Sequence, residues 1–287
     1  MKIGIGSAQF SGLYGISNLG KPLSYENAKK ILASARKHKI KILDTAASYG
    51  ESEKWLGEFG VSDFDVVTKV PAMKDTRCSA DDYIKDSLEG SLKRLRISSV
   101  YGLLLHCPKM IHHQNADAIK SLIKSLKEKG KLKKFGVSIY DPKMLETIIP
   151  LIEPDLVQAP CNIMDRSLFT SGWMEKLYKQ KIEIHARSVF LQGLLLLPES
   201  ALPKQFSAWR PLFFRWHQWL SDHKADPIKV CLAAVNDPRL SCVLVGVQSE
   251  EHLSKILLAF QDLQNASFPD LSCDDKNLID PSNWRNK

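Results

Sequence analysis

The chain has 287 residues, of which 44% are hydrophobic and 25% charged, and its net charge is +8. That composition excludes a disordered polymer and is enough for one large core. No run approaches the ~18 consecutive apolar residues of a membrane span, and Lys and Arg are interspersed with acids along helical stretches, so neither a membrane nor a nucleic acid is the expected partner.

Residues 2–6, Lys-Ile-Gly-Ile-Gly, read as a strand that opens the chain. They lack the apolar core and cleavage pattern of a secretory leader. The six cysteines, at 78, 107, 161, 231, 242 and 273, show no CxxC pair or metal spacing. Both features predict a cytoplasmic protein with free thiols and no metal. Residues 25–38 put Ala28, Ile31, Leu32 and Ala35 on one helical face. Strands are expected at 40–44 and 65–69, a helix at 80–95, a strand at 100–106 and a helix at 116–128. The cationic run from Lys127 to Lys134 reads as a helix end, where positive charge meets the carbonyl pole. A strand at 135–138, a helix at 142–149 and strands at 156–158 and 182–188 follow. Residues 195–226 hold Pro198, Pro203 and Pro211 and read as an enlarged connection followed by a helix. The aromatics of LFFRWHQWL (212–220) have helical spacing and read as core packing. A strand at 241–246 and a helix at 250–263 complete the series, and the tail at 268–287 is expected either to cross the mouth of the fold or to fray as termini do.

Eight apolar strands alternating with helices imply parallel βαβ units. Eight units close into an α/β barrel, the (β/α)8 or TIM fold, here expected as one domain over 1–287 without an N-terminal hairpin. A doubly wound open sheet fits less well. No Gly-x-Gly-x-x-Gly follows a strand, since Gly4-Ile5-Gly6 leads to Gln9 where the third glycine should stand.

Barrel active sites gather at the C-terminal ends of strands. Strand two ends in Asp44, strand three in Lys69 and strand four in His106, and Tyr49 follows strand two on a loop. A phenol titrates near 10, and proton transfer works best when the acid titrates near the working pH. A lysine ammonium beside Tyr49, held charged by Asp44, is therefore expected to lower the tyrosine. A histidine beside them would donate a hydrogen bond to a substrate oxygen. Each residue alone has an ordinary structural explanation, such as a helix cap for Asp44 or a packed side chain for His106. The set at three consecutive strand ends reads as catalytic.

The stretch DTAASYGESEKWLG (44–57) resembles the signature of the aldo-keto reductases. The resemblance extends over nearly the whole chain, through GIGSAQF (4–10), FGVS (135–138), Val157-Gln158, Asn162, LQGLL (191–195) and VLVGVQSEEHLSKIL (243–257). It implies reduction of an aldehyde or ketone, or oxidation of a sugar hydroxyl, with NADP as cofactor and NAD as the alternative. Tyr49 would be the general acid/base, Lys69 and Asp44 its tuners, and His106 the group that orients the carbonyl. Ser138 and Gln158 would hold the nicotinamide carboxamide. The backbone near Leu191 and Gly193 would follow the pyrophosphate, with Gly246, Gln248 and His252 toward the cofactor phosphate. Arg187 and Ser188 complete the expected cofactor set.

Three positions depart from the family pattern. Ile139 follows Ser138 where many relatives have Asn. Arg187 stands where many have an aromatic on the nicotinamide, and it is expected either to stack or contact substrate, or to pair with an acid. The phosphate segment offers His252 and Lys255 but no arginine. With Lys69, Arg187 suggests a positive mouth and an anionic substrate. The assembly is expected to be a monomer or weak homodimer. The rival reading is a sensor or regulatory subunit that holds cofactor without turnover.

Overall fold

The computed structural model describes residues 2–12, 22–73, 78–263 and 267–286. Eight parallel strands follow one another around a closed barrel: β1 (Lys2–Gly6), β2 (Ile42–Asp44), β3 (Asp65–Val70), β4 (Val100–Leu105), β5 (Leu132–Ser138), β6 (Leu156–Pro160), β7 (Glu183–Arg187) and β8 (Cys242–Gly246). Gly6 pairs with Asp44 on one side and with Gly246 on the other, so the ring closes through β1. The helices are α1 (Tyr25–Lys37), α2 (Ser52–Phe59), α3 (Ala80–Leu95), α4 (His113–Glu128), α5 (Leu145–Ile148), α6 (Ser167–Thr170), α7 (Trp173–Lys179), α8 (Arg210–Asp222), α9 (Pro227–Ala234), α10 (Glu250–Gln261) and α11 (Lys276–Ile279).

Local chemistry fixes these boundaries. Ser24, Ser79 and Ser249 each cap a helix by accepting a backbone N–H three residues on, which satisfies a donor that has no partner within the helix. Inside the barrel Ile42, Val67, Leu104, Leu156, Cys242 and Leu244 pack into one buried cluster. A larger cluster, including Ile31, Leu32, Leu56, Ile84 and Ile119, fills the layer between strands and helices. Of the aromatics in 206–220, Phe206, Phe213 and Trp216 are buried, and Trp216 Nε1 donates to the Leu195 carbonyl at 3.1 Å.

One expected boundary is wrong. The basic run from Lys127 is not a continuous helix end. α4 stops at Glu128, and β5 begins at Leu132, so Lys133 and Lys134 lie on the strand. Lys134 turns to Glu183 at the start of β7, which also accepts from the Tyr101 hydroxyl at 2.8 Å and pairs with His185 Nε2 at 2.7 Å. Burial alone would push the Glu183 carboxyl up, but hydrogen bonds from His185, Lys134 and Tyr101 outweigh it and hold the group down at about 2. A strand with two consecutive lysines does not look apolar, and its partner lies 49 residues away. This polar cluster sits at the strand starts, the end of the barrel opposite the catalytic candidates.

The tail packs on connections at the C-terminal ends of β5, β6 and β7. Cys273 N donates to the Met164 carbonyl at 2.9 Å, Asp275 accepts from Trp209 Nε1 at 3.1 Å, and Lys276 pairs with Asp141 at 3.2 Å. The Trp284 ring meets Phe206 edge-on at 5.0 Å. Residues 14–21 lie outside the described residues. Among the described residues no helix is long and apolar enough to cross a membrane, and all six cysteines are free.

The Leu-Gly step that closes the DTAASYGESEKWLG stretch has a packing reason. A Cβ on Gly57 would lie 2.1 Å from the Arg94 carbonyl oxygen, so α2 meets the end of α3 backbone to backbone. Gly57→Ala should therefore lower unfolding stability by about 2–3 kcal/mol, the cost of overpacking a rigid contact. Denaturant titration measures it, and an unchanged midpoint would mean that the helices slide apart freely.

Candidate active site

The site is built on the end of β2. Asp44, the last residue of that strand, is buried, and its carboxylate is fully engaged. One oxygen accepts from Lys69 Nζ at 2.7 Å and the other from Gln158 Nε2 at 2.7 Å. Lys69 also donates to the Thr45 carbonyl at 2.8 Å and is only 1% exposed. Removing two charges from water costs several kcal/mol per ion. The pair persists because both charges are close together and hydrogen-bonded on further sides.

The same stretch then turns back to carry Tyr49. Tyr49 N bonds to the Ala46 carbonyl at 3.0 Å and Ser52 N to the Tyr49 carbonyl at 2.8 Å. Ser52 Oγ donates to Ser7 Oγ at 2.8 Å and shares a 3.3 Å contact with Thr45 Oγ1, which ties the loop to the end of β1. Glu53, buried behind it, accepts from Thr68 at 2.5 Å and from Arg94 Nε at 2.8 Å. Thr45, Ser52 and Glu53 are thus the scaffold of the motif, and Asp44 and Tyr49 are the members that face its cleft.

Tyr49 sits beside both other candidates. Lys69 Nζ is 5.1 Å from the phenol ring centroid, and the His106 ring lies edge-on at 6.0 Å. His106 follows β4, with its N–H on the Val70 carbonyl at 2.9 Å and Nδ1 3.4 Å from Ser48 Oγ. The expected lowering of the tyrosine fails. Burial and then the Asp44 carboxylate raise the Tyr49 hydroxyl above its ordinary value, and Arg187 pulls it back only in part. Asp44 spends the lysine charge, which leaves little to stabilise a phenolate. His106 is neutral, because burial, Lys69 and Arg187 push it down to about 3. The mouth therefore carries less positive charge than the sequence suggests.

A cleft beside this cluster is lined by Asp44, Tyr49, Gln158, Arg187, Ser188, Gly193, Gly246, Gln248 and His252, together with Gln9 and Phe190. Seven of the nine residues expected to hold cofactor therefore face one space. The other two do not face it. Ser138 is buried behind Gln158, donating to its Oε1 at 3.4 Å, and the Leu191 side chain is buried in the core. Ser138 thus orients Gln158.

Several features of the cleft suit a large polar ligand. Ser188, Leu191, Gln192 and Gly193 all have left-handed φ, at 60°, 46°, 54° and 88°. Such a run is strained for side-chain-bearing residues and occurs where a backbone must present itself to something. Gly246 lets the Gln9 side chain lie against the backbone of β8, since a Cβ there would fall 2.0 Å from the Gln9 amide nitrogen. Gln9 Oε1 is buried here without a partner among the described residues, and a buried acceptor without a donor is costly. The N-terminus of α10, capped by Ser249, brings His252 to the same wall. Burial and then Lys255 lower the His252 pKa, while Lys255 is exposed and does not line the cleft.

Arg187 is the charged group whose surroundings the sequence left open. Its Nη2 donates to the Ile139 carbonyl at 2.9 Å and Nη1 to Ser188 Oγ at 3.1 Å. Its guanidinium carbon lies 4.5 Å from the Tyr140 ring centroid. Among the described residues it forms no ion pair, so the alternative of an acidic partner is not realised. Gln9 and Phe190 are cleft residues that the sequence left unassigned, although GIGSAQF puts Gln9 just past the end of β1.

Comparisons with known proteins agree with this architecture. A profile of the Aldo/keto reductase family matches residues 2–271. An aldo-keto reductase of Gibberella moniliformis is 27% identical over 213 residues, 68% of this chain and 64% of that protein, a little under two thirds of its length. The L-galactose dehydrogenase of Arabidopsis thaliana is 22% identical over 282 residues, 92% of this chain and 85% of that protein. The holo form of aldo-keto reductase AKR11C1 from Bacillus halodurans superposes with a TM-score of 0.72 at 17% identity, covering 93% of this chain and 88% of that one.

Two measurements follow from the electrostatics. Lys69→Met strands the Asp44 carboxylate in a buried place and should cost about 3–5 kcal/mol in a denaturant titration; a loss below about 1 kcal/mol would mean that water reaches the pair freely. For His106, the unfolded chain takes up a proton below about 6.5, whereas the folded chain resists it down to about 3. Stability is thus lost progressively as pH falls between those values. The His106 ring signal in an NMR titration should stay at its neutral position at pH 5, and a midpoint near 6.5 would contradict the burial.

Proposed function

The chain belongs to the aldo/keto reductase family, and we propose that it is an NAD(P)H-dependent oxidoreductase that reduces an aldehyde or ketone, or oxidises a sugar hydroxyl in reverse. The observation that carries this reading is the convergence of Tyr49, His106 and the buried Asp44–Lys69 pair beside one cleft. A nicotinamide dinucleotide bound in that cleft would supply the hydride. Gln158 would hold its carboxamide, the left-handed backbone around Gly193 its pyrophosphate, and Gln248 and His252 its far end. The Gln9 side-chain oxygen, buried without a partner among the described residues, offers an acceptor along the same wall.

In this reading Tyr49 gives the proton. A raised pKa keeps its hydroxyl protonated at rest, the state an acid needs in the reducing direction. Neutral His106 has one ring N–H to donate to the carbonyl oxygen, which fixes that oxygen beside the phenol and polarises it. Charge that develops on the oxygen meets the field of Arg187, which acts on both Tyr49 and His106. Asp44 keeps Lys69 charged and in place, so its role is positional.

His252 held toward its neutral form offers the 2′-phosphate of NADP a hydrogen bond rather than a full charge pair. NADP(H) is our proposed cofactor, with NAD(H) accepted by the same cleft at only modestly lower affinity. A carbonyl compound or sugar with an anionic group is the proposed substrate, because Arg187 stands in the cleft without a carboxylate. The name of the Arabidopsis relative points to the sugar class.

Tyr49→Phe keeps the ring and removes the proton. It should lower kcat for reduction of a sugar aldehyde by about 100- to 10,000-fold while leaving the dissociation constant for NADPH within about twofold. Steady-state kinetics paired with a fluorescence titration checks both numbers. Unchanged turnover would remove Tyr49 from the chemistry, and a variant that kept the biological role without turnover would favour a sensor.

A further inference from the structure

We propose that Arg187 sets the redox preference of the cleft, so that its uncompensated guanidinium makes the protein bind reduced nicotinamide cofactor more tightly than oxidised. The inference rests on the nicotinamide reading above and concerns what Arg187 does to that ligand.

The charges around the cleft can be followed one by one. Asp44 lines it, but Lys69 sits 2.7 Å from one carboxylate oxygen and Gln158 Nε2 2.7 Å from the other. That pair is internally neutral. His252 lines it and is held toward its neutral form by burial and by Lys255. Arg187 remains. Among the described residues its hydrogen bonds go to neutral acceptors, the Ile139 carbonyl and the Ser188 hydroxyl, and its face lies on the Tyr140 ring. The acid whose field it shares is Asp165, which is buried, and its carboxylate accepts from the Ser167 hydroxyl at 2.6 Å and from Ser167 N at 3.1 Å. Burial raises the Asp165 pKa, and among the described residues its carboxylate neither pairs with Arg187 nor lines the cleft. The side of the cleft formed by the end of β7 therefore presents a guanidinium with no carboxylate bonded to it.

That charge acts where the chemistry is. Arg187 lowers the pKa of both Tyr49 and His106, so its field spans the space between them. A nicotinamide ring within reach of Tyr49 lies in the same field. The reduced ring is neutral and the oxidised ring carries a unit positive charge. A fixed guanidinium repels one and not the other, and it does so strongly in a cleft that is partly dry. The protein then prefers the reduced ligand and releases the oxidised one readily, which suits a reductase.

The test compares dissociation constants of reduced and oxidised cofactor, NADPH against NADP and NADH against NAD, by quenching of tryptophan fluorescence. Using the ratio within each pair cancels the 2′-phosphate and any general damage to the cleft. The wild-type protein should bind the reduced form more tightly. Arg187→Met and Arg187→Gln, which remove the charge, should shrink the ratio by about tenfold, the scale of one unit charge at several ångströms in a medium of intermediate dielectric. Arg187→Lys should keep most of it. Gln preserves a donor for Ile139 and Ser188, so it carries the test if Met does not fold by circular dichroism. A purely structural Arg187 would shift both constants together, and an unchanged ratio in the neutral variants overturns the proposal. If wild-type protein binds neither form, the nicotinamide reading itself has failed, and the inference falls with it.

Discussion

The buried ion pair between Asp44 and Lys69 is the constraint on which the site depends. It joins the end of β2 to the end of β3, and through Gln158 it reaches β6 on the far side of the barrel mouth. A barrel whose middle layer is Ile42, Val67, Leu104, Leu156, Cys242 and Leu244 accepts this polar network because every charged atom in it has a partner. Once Asp44 is fixed, the loop that leaves it has little freedom. Ser52 and Glu53 anchor that loop to β1, β3 and α3, and Tyr49 is delivered to the mouth at a set place. Stability and chemistry are thus arranged in sequence, from buried pair to anchored loop to phenol.

Most of this was legible because it is local. Strand ends and the polar residues that close them can be read from short apolar runs, and Asp44, Lys69 and His106 stand where the barrel rule places reactive groups. Tyr49 was found because it lies five residues past a strand end. The cleft walls were found through the resemblance, which drew together Gln158, Gly193 and His252 from distant parts of the chain. Ser138 came with them and lies just behind Gln158, because sequence does not tell a lining side chain from one packed behind it.

What escaped was long-range electrostatics. The sequence shows a lysine near a tyrosine, and the simple expectation is a lowered phenol. Burial is a property of the whole fold, and here it acts against the lysine, as does the Asp44 charge already paired with it. The same holds for β5, where Lys133 and Lys134 look like the end of a helix until Glu183 and Tyr101 are brought alongside. In both cases the deciding partner is separated from the residue in sequence and adjacent in space. Arg187 is the third example. An isolated arginine in a sequence is most simply read as half of an ion pair, and only the fold reveals neutral acceptors around it.

Amide hydrogen exchange with and without saturating NADPH tests the cleft most directly, because it reports where a ligand sits as well as whether it binds. Protection should concentrate in residues 187–196 and 246–253, with the strand starts around Glu183 and Tyr101 unchanged. No protection in either segment, or protection confined to the α4–α5 side of the barrel, would contradict a nicotinamide site beside Tyr49.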